Sequence, residues 1–538
     1  MAQQAYTLLL RLFSPFIWGW MYWRARRAGG VWQIFSAERF GSYALPWDGD
    51  APVWVHAVSL GETRAAQSLV VSLLARGDRV LLTHTTPTGR AEGAKLFAAE
   101  IATGQLRQQW LPYDFPGATR RFFKHYRPRL GLLIEREVWP NLIEQAQVAD
   151  IPVILASARF SARAQGHVRR IDQLFFSLMR DTYASIDLVL AQTEDDARRL
   201  FEVGASNVQI VGNLKFDVDL PIVAVDAGRV WRERLQRPVV SIASTREGED
   251  AMFVAAVQQQ IAHPDLVIED LPVQFDPILT PVPVLMPSST SGASAIQSPF
   301  VTPSAKNGQR IEPTSVIAES GLKAESSVPA QGSEAQVTTA PTDAPLSSQN
   351  LPPAVPPLFF LIPRHPQRFE EAARLLEQSG LRFVRWSDIR HNTHADRELV
   401  DINVVLGDTL GEMPFFYAAS DVAIVAGSFA PHGGQNLIEA CAIGTPVIVG
   451  PFARNFADAV QGAVAAGAAI QIQRSELVDP ALRAVATALS WLKEPAALSE
   501  RGRLGREWVA LHTGATTRIL QHINDFEVAR DQVSLPRR

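Results

Sequence analysis

Residues 52–101 read PVWVHAVSLGETRAAQSLVVSLLARGDRVLLTHTTPTGRAEGAKLFAAEI. PVWVHAVS is an apolar run of strand length, and GETRAAQSLVVSLLARG carries apolar residues at helical spacing. DRVLLTHTT returns to strand and PTGRAEGAKLFAAEI to helix. The alternation continues through RLGLLIE, VWPNLIEQAQVAD, IPVILASA and IDLVLAQ, and this half ends at VQIVGNLKFD, Val208 to Asp217. Apolar strands separated by amphipathic helices specify a parallel sheet covered on both faces. A second series begins near Pro238 with PVVSIAST and a helix running to about His263. It continues with PLFFLIPRHP, LRFVRWS, NVVLGD, DVAIVAG and TPVIVGP. The expected fold class is therefore α/β, two Rossmann-like domains facing a cleft. Ligands in such folds sit beyond the carboxyl ends of the strands.

The chain of 538 residues is long enough for two or three domains, and a hydrophobic fraction of 47% indicates large cores. A net charge of −4 offers no broad basic surface for nucleic acid. The single cysteine, Cys441, excludes an internal disulfide and a cysteine-rich metal site, and its apolar helical setting, NLIEACAIG, reads as core packing.

Residues 5–23, AYTLLLRLFSPFIWGWMYW, are followed by Arg24, Arg26 and Arg27. The run approaches the length needed to cross a bilayer, roughly 17–25 residues. Arg11 and Pro15 interrupt it, and Trp18, Trp20, Tyr22 and Trp23 crowd its end as at a membrane interface. Residues 1–30 are expected to associate with a membrane, spanning it or lying in its interface; a first helix buried in the domain is the competing reading. The flanking arginines would keep the body on the cytoplasmic side. Residues 31–218 then form the first domain and 219–538 the second. Between about 272 and 357 the composition changes. Some fifteen of the 36 prolines fall there with no Trp or Tyr, which reads as a disordered insertion in the second domain.

Candidate chemistry follows the strands. In His56-Ala-Val-Ser-Leu-Gly-Glu62, Gly61 permits a tight turn and Glu62 stands at a helix start. Such a carboxylate serves either as a helix cap or as a general base toward an acceptor hydroxyl. Glu135 and Glu137 beside Trp139-Pro140 suit sugar hydroxyls or an internal ion pair. Arg364 at the end of PLFFLIP suits a phosphate or carboxylate, and Arg368 reads equally as a surface salt bridge. The stretch Gly407–Glu439, GDTLGEMPFFYAASDVAIVAGSFAPHGGQNLIE, gives a strand, a glycine-bearing loop from Gly427 to Gly434 and a helix opening near Gln435. Backbone N–H groups there suit a phosphate. Glu439, three residues past Asn436, suits the hydroxyls of a ribose. No histidine pair has metal-ligand spacing, and the loop lacks a P-loop lysine.

Seven motifs in order resemble the 3-deoxy-D-manno-octulosonic acid (Kdo) transferases of lipopolysaccharide synthesis. They are the 56–62 and 135–141 motifs, Leu111-Pro-Tyr-Asp-Phe-Pro116, Gly212-Asn-Leu-Lys-Phe-Asp217, Pro363-Arg-His-Pro-Gln-Arg-Phe369, Gly407-Asp-Thr-Leu-Gly-Glu412 and Gly433-Gly-Gln-Asn-Leu-Ile-Glu439. The resemblance implies a GT-B fold, CMP-Kdo as donor and the lipid A precursor, lipid IVA, as acceptor. It implies inverting, metal-independent transfer with no cofactor at the cytoplasmic side of the cell inner membrane. It implies that Glu62 is the catalytic base, and that Pro363, Arg364, Leu410, Gly411, Glu412, Asn436, Leu437, Ile438 and Glu439 bind CMP. The chain departs from the family pattern at Arg136, usually Thr, Ser157, usually Asn, Leu410, usually Met, and Gln435 and Leu437, usually His and Pro. The alternatives are a GT-B transferase or epimerase using a UDP-sugar, and a membrane-anchored scaffold built on an inactive transferase. Retention of Glu62 and Glu439 speaks against the last.

Overall fold

Val53–His56 (β1), Val80–His84 (β2), Leu130–Ile134 (β4) and Val153–Ala158 (β5) are buried along their whole length, as apolar runs covered on both sides must be. With Leu106–Trp110 (β3), Leu188–Ala191 (β6) and Val208–Ile210 (β7) they form one seven-stranded sheet in the order β3-β2-β1-β4-β5-β6-β7. Every pairing is parallel. β3 has no apolar run to announce it, because Arg107, Gln108 and Gln109 are only partly covered.

The second sheet comprises Val239–Thr245 (β8), Leu358–Pro363 (β9), Phe383–Arg385 (β10), Val404–Leu406 (β11), Val422–Val425 (β12), Val447–Val449 (β13) and Ala469–Gln471 (β14). Its order is β10-β11-β9-β8-β12-β13-β14, again parallel throughout. The computed structural model describes residues 2–27, 32–263, 356–391, 399–475 and 478–534. The expected insertion at 272–357 lies outside these residues except for Pro356 and Pro357, whose carbonyls accept from the Arg237 guanidinium at 2.9 and 3.0 Å.

In each sheet the chain reverses direction of travel once, beside β1 in the first and beside β8 in the second. The carboxyl ends flanking these switch points are where an open α/β sheet leaves a crevice. Glu62 follows β1 and Glu135 follows β4. Arg246, Arg364, Leu410 and Gly427 follow four adjacent strands, β8, β9, β11 and β12.

The final helix, Ala515–Ser534, departs from the boundary expected at 219–538. Its Ala515, Ile519 and Ile523 are fully buried in the core of the first sheet, against residues such as Leu69, Val70 and Leu190. Burying that apolar face against the first sheet is what holds the helix there. The chain thus crosses between the halves twice. Asp217 fastens the crossings together, its carboxylate accepting from the N–H groups of Gly514 at 2.6 Å and Thr516 at 2.5 Å.

The N-terminal helix, Ala2–Arg27, is docked along one side only. Asn141 Oδ1 accepts from Gln3 Nε2 at 2.8 Å and Thr7 Oγ1 at 2.9 Å, and Asp114 accepts from the Tyr6 hydroxyl at 3.0 Å. Trp18 packs edge-on against Phe35, Phe40 and Phe115. The opposite side leaves Leu8, Leu12, Phe13, Phe16, Trp20 and Trp23 exposed. No helix among the described residues is long and apolar enough to cross a membrane. The spanning alternative for residues 1–30 is therefore not supported: Arg11 and the polar docking side dilute the apolar run.

Candidate active site

Glu62 sits in the first turn of the helix Leu60–Ala65, which Ser59 caps. The Ser59 hydroxyl accepts from the Glu62 N–H at 3.4 Å, and Glu62 Oε2 accepts from the N–H groups of Val58 at 2.6 Å and Ser59 at 3.2 Å. This is a capping box. Both bonds fall on Oε2, leaving Oε1 without a hydrogen-bond partner among the described residues. The cap reading therefore holds, and it occupies only one of the two oxygens. Burial, reinforced by Glu135 and then Glu137, raises the carboxyl from 4.5 to about 7 against the pull of the two N–H donors. A carboxylate with that affinity for a proton is matched to general-base work near neutral pH.

Glu135 is buried and held in the left-handed region at φ 64°. Lys215 from the Gly212–Asp217 motif pairs with it at 2.5 Å. The internal ion-pair reading therefore holds for Glu135. Glu137, by contrast, accepts from the Trp139 indole at 3.1 Å, and burial raises its carboxyl.

On the second sheet, Pro363 ends β9 inside the core, and the Arg364 N–H donates to the Thr245 carbonyl at 3.0 Å. The Arg364 guanidinium is lowered from its ordinary value by burial, and then by the fields of Arg64 and Arg246. Burial raises Glu439, while Arg64 and Arg364 lower it. Arg64 belongs to the Glu62 helix, so the two halves meet electrostatically here: the fields of Arg64 and Arg364 reach Glu439, and those of Arg64 and Arg246 reach Arg364. Such a cluster suits a dianionic or doubly charged ligand. Arg368 does not join it. Arg368 is buried on Asp250, which also receives the Thr245 hydroxyl, so the surface-salt-bridge reading is replaced by a buried structural pair.

The helix expected to open near Gln435 begins three residues later, at Ile438, and is six residues long. Asn436 explains the delay, because its Oδ1 accepts from the Ile438 N–H at 3.0 Å and holds the preceding residues in a turn. Leu437 and Ile438 are fully buried in the core, so only their backbone groups can face a ligand. The glycine loop also differs from expectation. The N–H groups of Gly427, Phe429 and Ala430 turn inward onto the carboxylate of Glu249, leaving none of those three for a phosphate. In the loop after β11, Leu410 is exposed and Gly411 has φ +86°. The Glu412 carboxylate is occupied by the Trp386 indole at 3.1 Å, the Thr409 hydroxyl and Arg390 at 3.7 Å. Its side chain shapes the loop end.

Arg64, Arg246 and Glu249 were missed in the sequence. Arg246 and Glu249 lie in Thr245-Arg-Glu-Gly-Glu-Asp250, immediately after the strand PVVSIAST, and the strand-end rule applied elsewhere would have found them. Among the described residues no group of three or more His, Cys, Asp or Glu is placed to hold a metal ion. A cavity of about 770 Å³ lies far from these motifs, at the amino ends of β4 and β5 against the final helix.

Two doubly wound α/β domains with charged motifs on their carboxyl edges define a ligand-binding cleft architecture. A family model described as 3-Deoxy-D-manno-octulosonic-acid transferase (kdotransferase) matches residues 36–218. A 3-deoxy-D-manno-octulosonic acid transferase of Bordetella pertussis is 44% identical over 98% of this chain and 100% of its own. One from Haemophilus influenzae is 26% identical over 91% of each. Among solved structures, the C-terminal CMP-Kdo binding domain of WaaA from Acinetobacter baumannii is 18% identical, covering 54% of this chain and 98% of its own with a TM-score of 0.32. A UDP-GlcNAc 2-epimerase from Neisseria meningitidis, bound to UDP-GlcNAc, is 12% identical with a TM-score of 0.46, covering 88% of this chain and 100% of its own. The chain belongs to the Kdo transferase family, glycosyltransferases of lipopolysaccharide biosynthesis.

Proposed function

We propose that this chain transfers Kdo from CMP-Kdo to the lipid A precursor, lipid IVA, with inversion, as a GT-B-type enzyme in which Glu62 is the general base. The observation that carries the reading is the Glu62 carboxylate. One oxygen is anchored by two backbone N–H groups, the other has no partner among the described residues, and its proton affinity is tuned close to neutrality. Oε1 takes the proton of the acceptor hydroxyl as that oxygen attacks the anomeric carbon. The bond from that carbon to the CMP phosphate breaks as the new bond forms. The anomeric carbon is tertiary and bears a carboxylate, so charge develops as in an oxocarbenium ion, and the leaving phosphate gathers negative charge. Arg364, with Arg246 and Arg64 beside it, is suited to stabilise that charge. Glu439 and Asn436 are suited to the ribose. The transfer uses no divalent cation, which activity retained in EDTA would support and its loss would contradict.

The same proposal sets the enzyme on the cytoplasmic side of the inner membrane. The N-terminal helix docks on Asp114 and Asn141, which follow β3 and β4 at the same carboxyl edge that bears Glu62. Its exposed apolar side supports an interfacial placement beside a lipid acceptor.

The test is mass spectrometry of the lipid formed by purified protein from CMP-Kdo and lipid IVA. Addition of Kdo is expected from the wild type, with none from Glu62→Gln although it still binds CMP. Full activity in that variant would remove Glu62 from the role. Tighter binding of UDP than CMP would overturn the donor assignment.

A further inference from the structure

Glu249 opens the helix Glu249–Ala262 directly after β8, and its carboxylate is fully buried. Oε2 accepts from the N–H groups of Arg246 at 2.8 Å and Gly427 at 2.6 Å. Oε1 accepts from Phe429 at 2.8 Å and Ala430 at 3.1 Å. Four donors match the four lone-pair sites of a carboxylate. A helix cap would explain only the first of them. The other three come from the loop after β12, 178 to 181 residues further along the chain.

That loop leads to the residues assigned above to the ribose. Gly427 stands at φ +73°, the Gly434 N–H returns to the Gly427 carbonyl at 2.7 Å, and the chain then enters Asn436 and Glu439. The turn after β8 carries Arg246. β8 and β12 are neighbours in the sheet, so the two segments emerge side by side with the Glu249 carboxylate between them.

We infer that Glu249 is a positioning residue for donor binding. It lies beneath the site and is too buried to touch a ligand. It fixes the loop that delivers Asn436 and Glu439 against the turn that delivers Arg246, so that a cation for the phosphate and a carboxylate for the ribose face one nucleotide. The task needs a charged group. N–H bonds to a carboxylate are shorter and roughly twice as strong as neutral ones. An amide at this position would set its own N–H groups against backbone N–H groups. The inference rests on the donor reading of this site given above.

The experiment compares wild type, Glu249→Gln and Glu249→Asp by calorimetric titration with CMP, initial rates against each substrate, amide hydrogen exchange and thermal unfolding. In Glu249→Gln, CMP affinity is expected to fall at least tenfold and KM for CMP-Kdo to rise in parallel. KM for the lipid acceptor should be unchanged, and amides 427, 429 and 430 should exchange faster. Glu249→Asp keeps the charge and should bind CMP with intermediate affinity, which keeps the inference testable if the glutamine variant does not fold. A folded variant of either kind that binds CMP as tightly as wild type overturns it. Failure of both variants to fold would assign Glu249 to the core and overturn it equally. Failure of the wild type to bind CMP would instead overturn the donor reading, and this inference with it.

Discussion

Glu62 carries two demands that pull in opposite directions. As a cap it should be ionised, and as a buried carboxylate beside Glu135 and Glu137 it resists ionisation, so its proton is released only near pH 7. In the base role proposed for it, Glu62 must be deprotonated to accept the proton of the acceptor hydroxyl. The rate kcat/KM is therefore expected to fall about tenfold per pH unit below pH 7 and to level off above it, read from initial rates across pH 5–9. The stability consequence has the opposite sign. Between the unfolded value of 4.5 and the folded value of about 7, the folded protein keeps a proton that the unfolded chain has lost. Stability is thus lost as pH rises through that window. Glu62→Gln removes this loss, so its Tm should exceed the wild-type value at pH 8 and match it at pH 4. Equal Tm differences at both pH values would show that burial does not tune this group. Such a residue was half legible in the sequence. Gly61 and the strand end announced a carboxylate at a helix start, but not that the cap would engage only one of its oxygens. Glu249 was less legible still, because three of its four partners lie far along the chain.

At the scale of elements, the motifs divide into those that face a ligand and those that hold other elements. Asp114 accepts from the N–H groups of Asn141 at 3.2 Å and Leu142 at 2.7 Å, capping the helix Pro140–Val148, while also receiving Tyr6. Burial raises its carboxyl to about 6. Asp114 and Asn141 thus form the dock for the N-terminal helix, a use that spacing alone never suggested. Replacing both Leu12 and Phe16 by Asp, on the exposed side, should abolish sedimentation with anionic lipid vesicles and leave Tm within a few degrees of wild type, since both side chains are exposed. Tyr6→Phe should loosen the dock and accelerate proteolysis within residues 2–27. Unchanged vesicle binding by the double variant would overturn the interfacial placement proposed for this helix. The strands other than β3 and β14 were legible because a short apolar run between turn residues can bury both of its faces only inside a sheet. The start at Ile438 was not, because it depends on a single Asn side chain bonding its own backbone two residues on.

Across the whole molecule, the halves are joined by a few fixed points. Arg159 after β5 pairs with Asp458 of the second half at 2.6 Å, Asp217 clasps both crossings, and Phe216 stacks on His512. The alternating pattern predicted two sheets but gave no sign that the last helix belongs to the first. Ala515–Ser534 is amphipathic like its neighbours, and nothing local records which sheet its apolar side meets. Its contribution is measurable. Ile519→Ala should cost about 2–5 kcal/mol, the usual range for emptying a buried isoleucine site. It should lower the denaturation midpoint without changing the CMP affinity of the folded fraction. A neutral effect would mean that the helix is dispensable to the first core.

That returning helix also sets an order of events during synthesis. The nascent first half leaves the ribosome with its strands complete at Ile210, yet the segment covering Leu69 and Val70 is still roughly 300 residues away. At about 5–20 residues per second this gap lasts on the order of 15–60 s. Throughout that interval an apolar groove on the newborn domain stands open to chaperones and to neighbouring nascent chains.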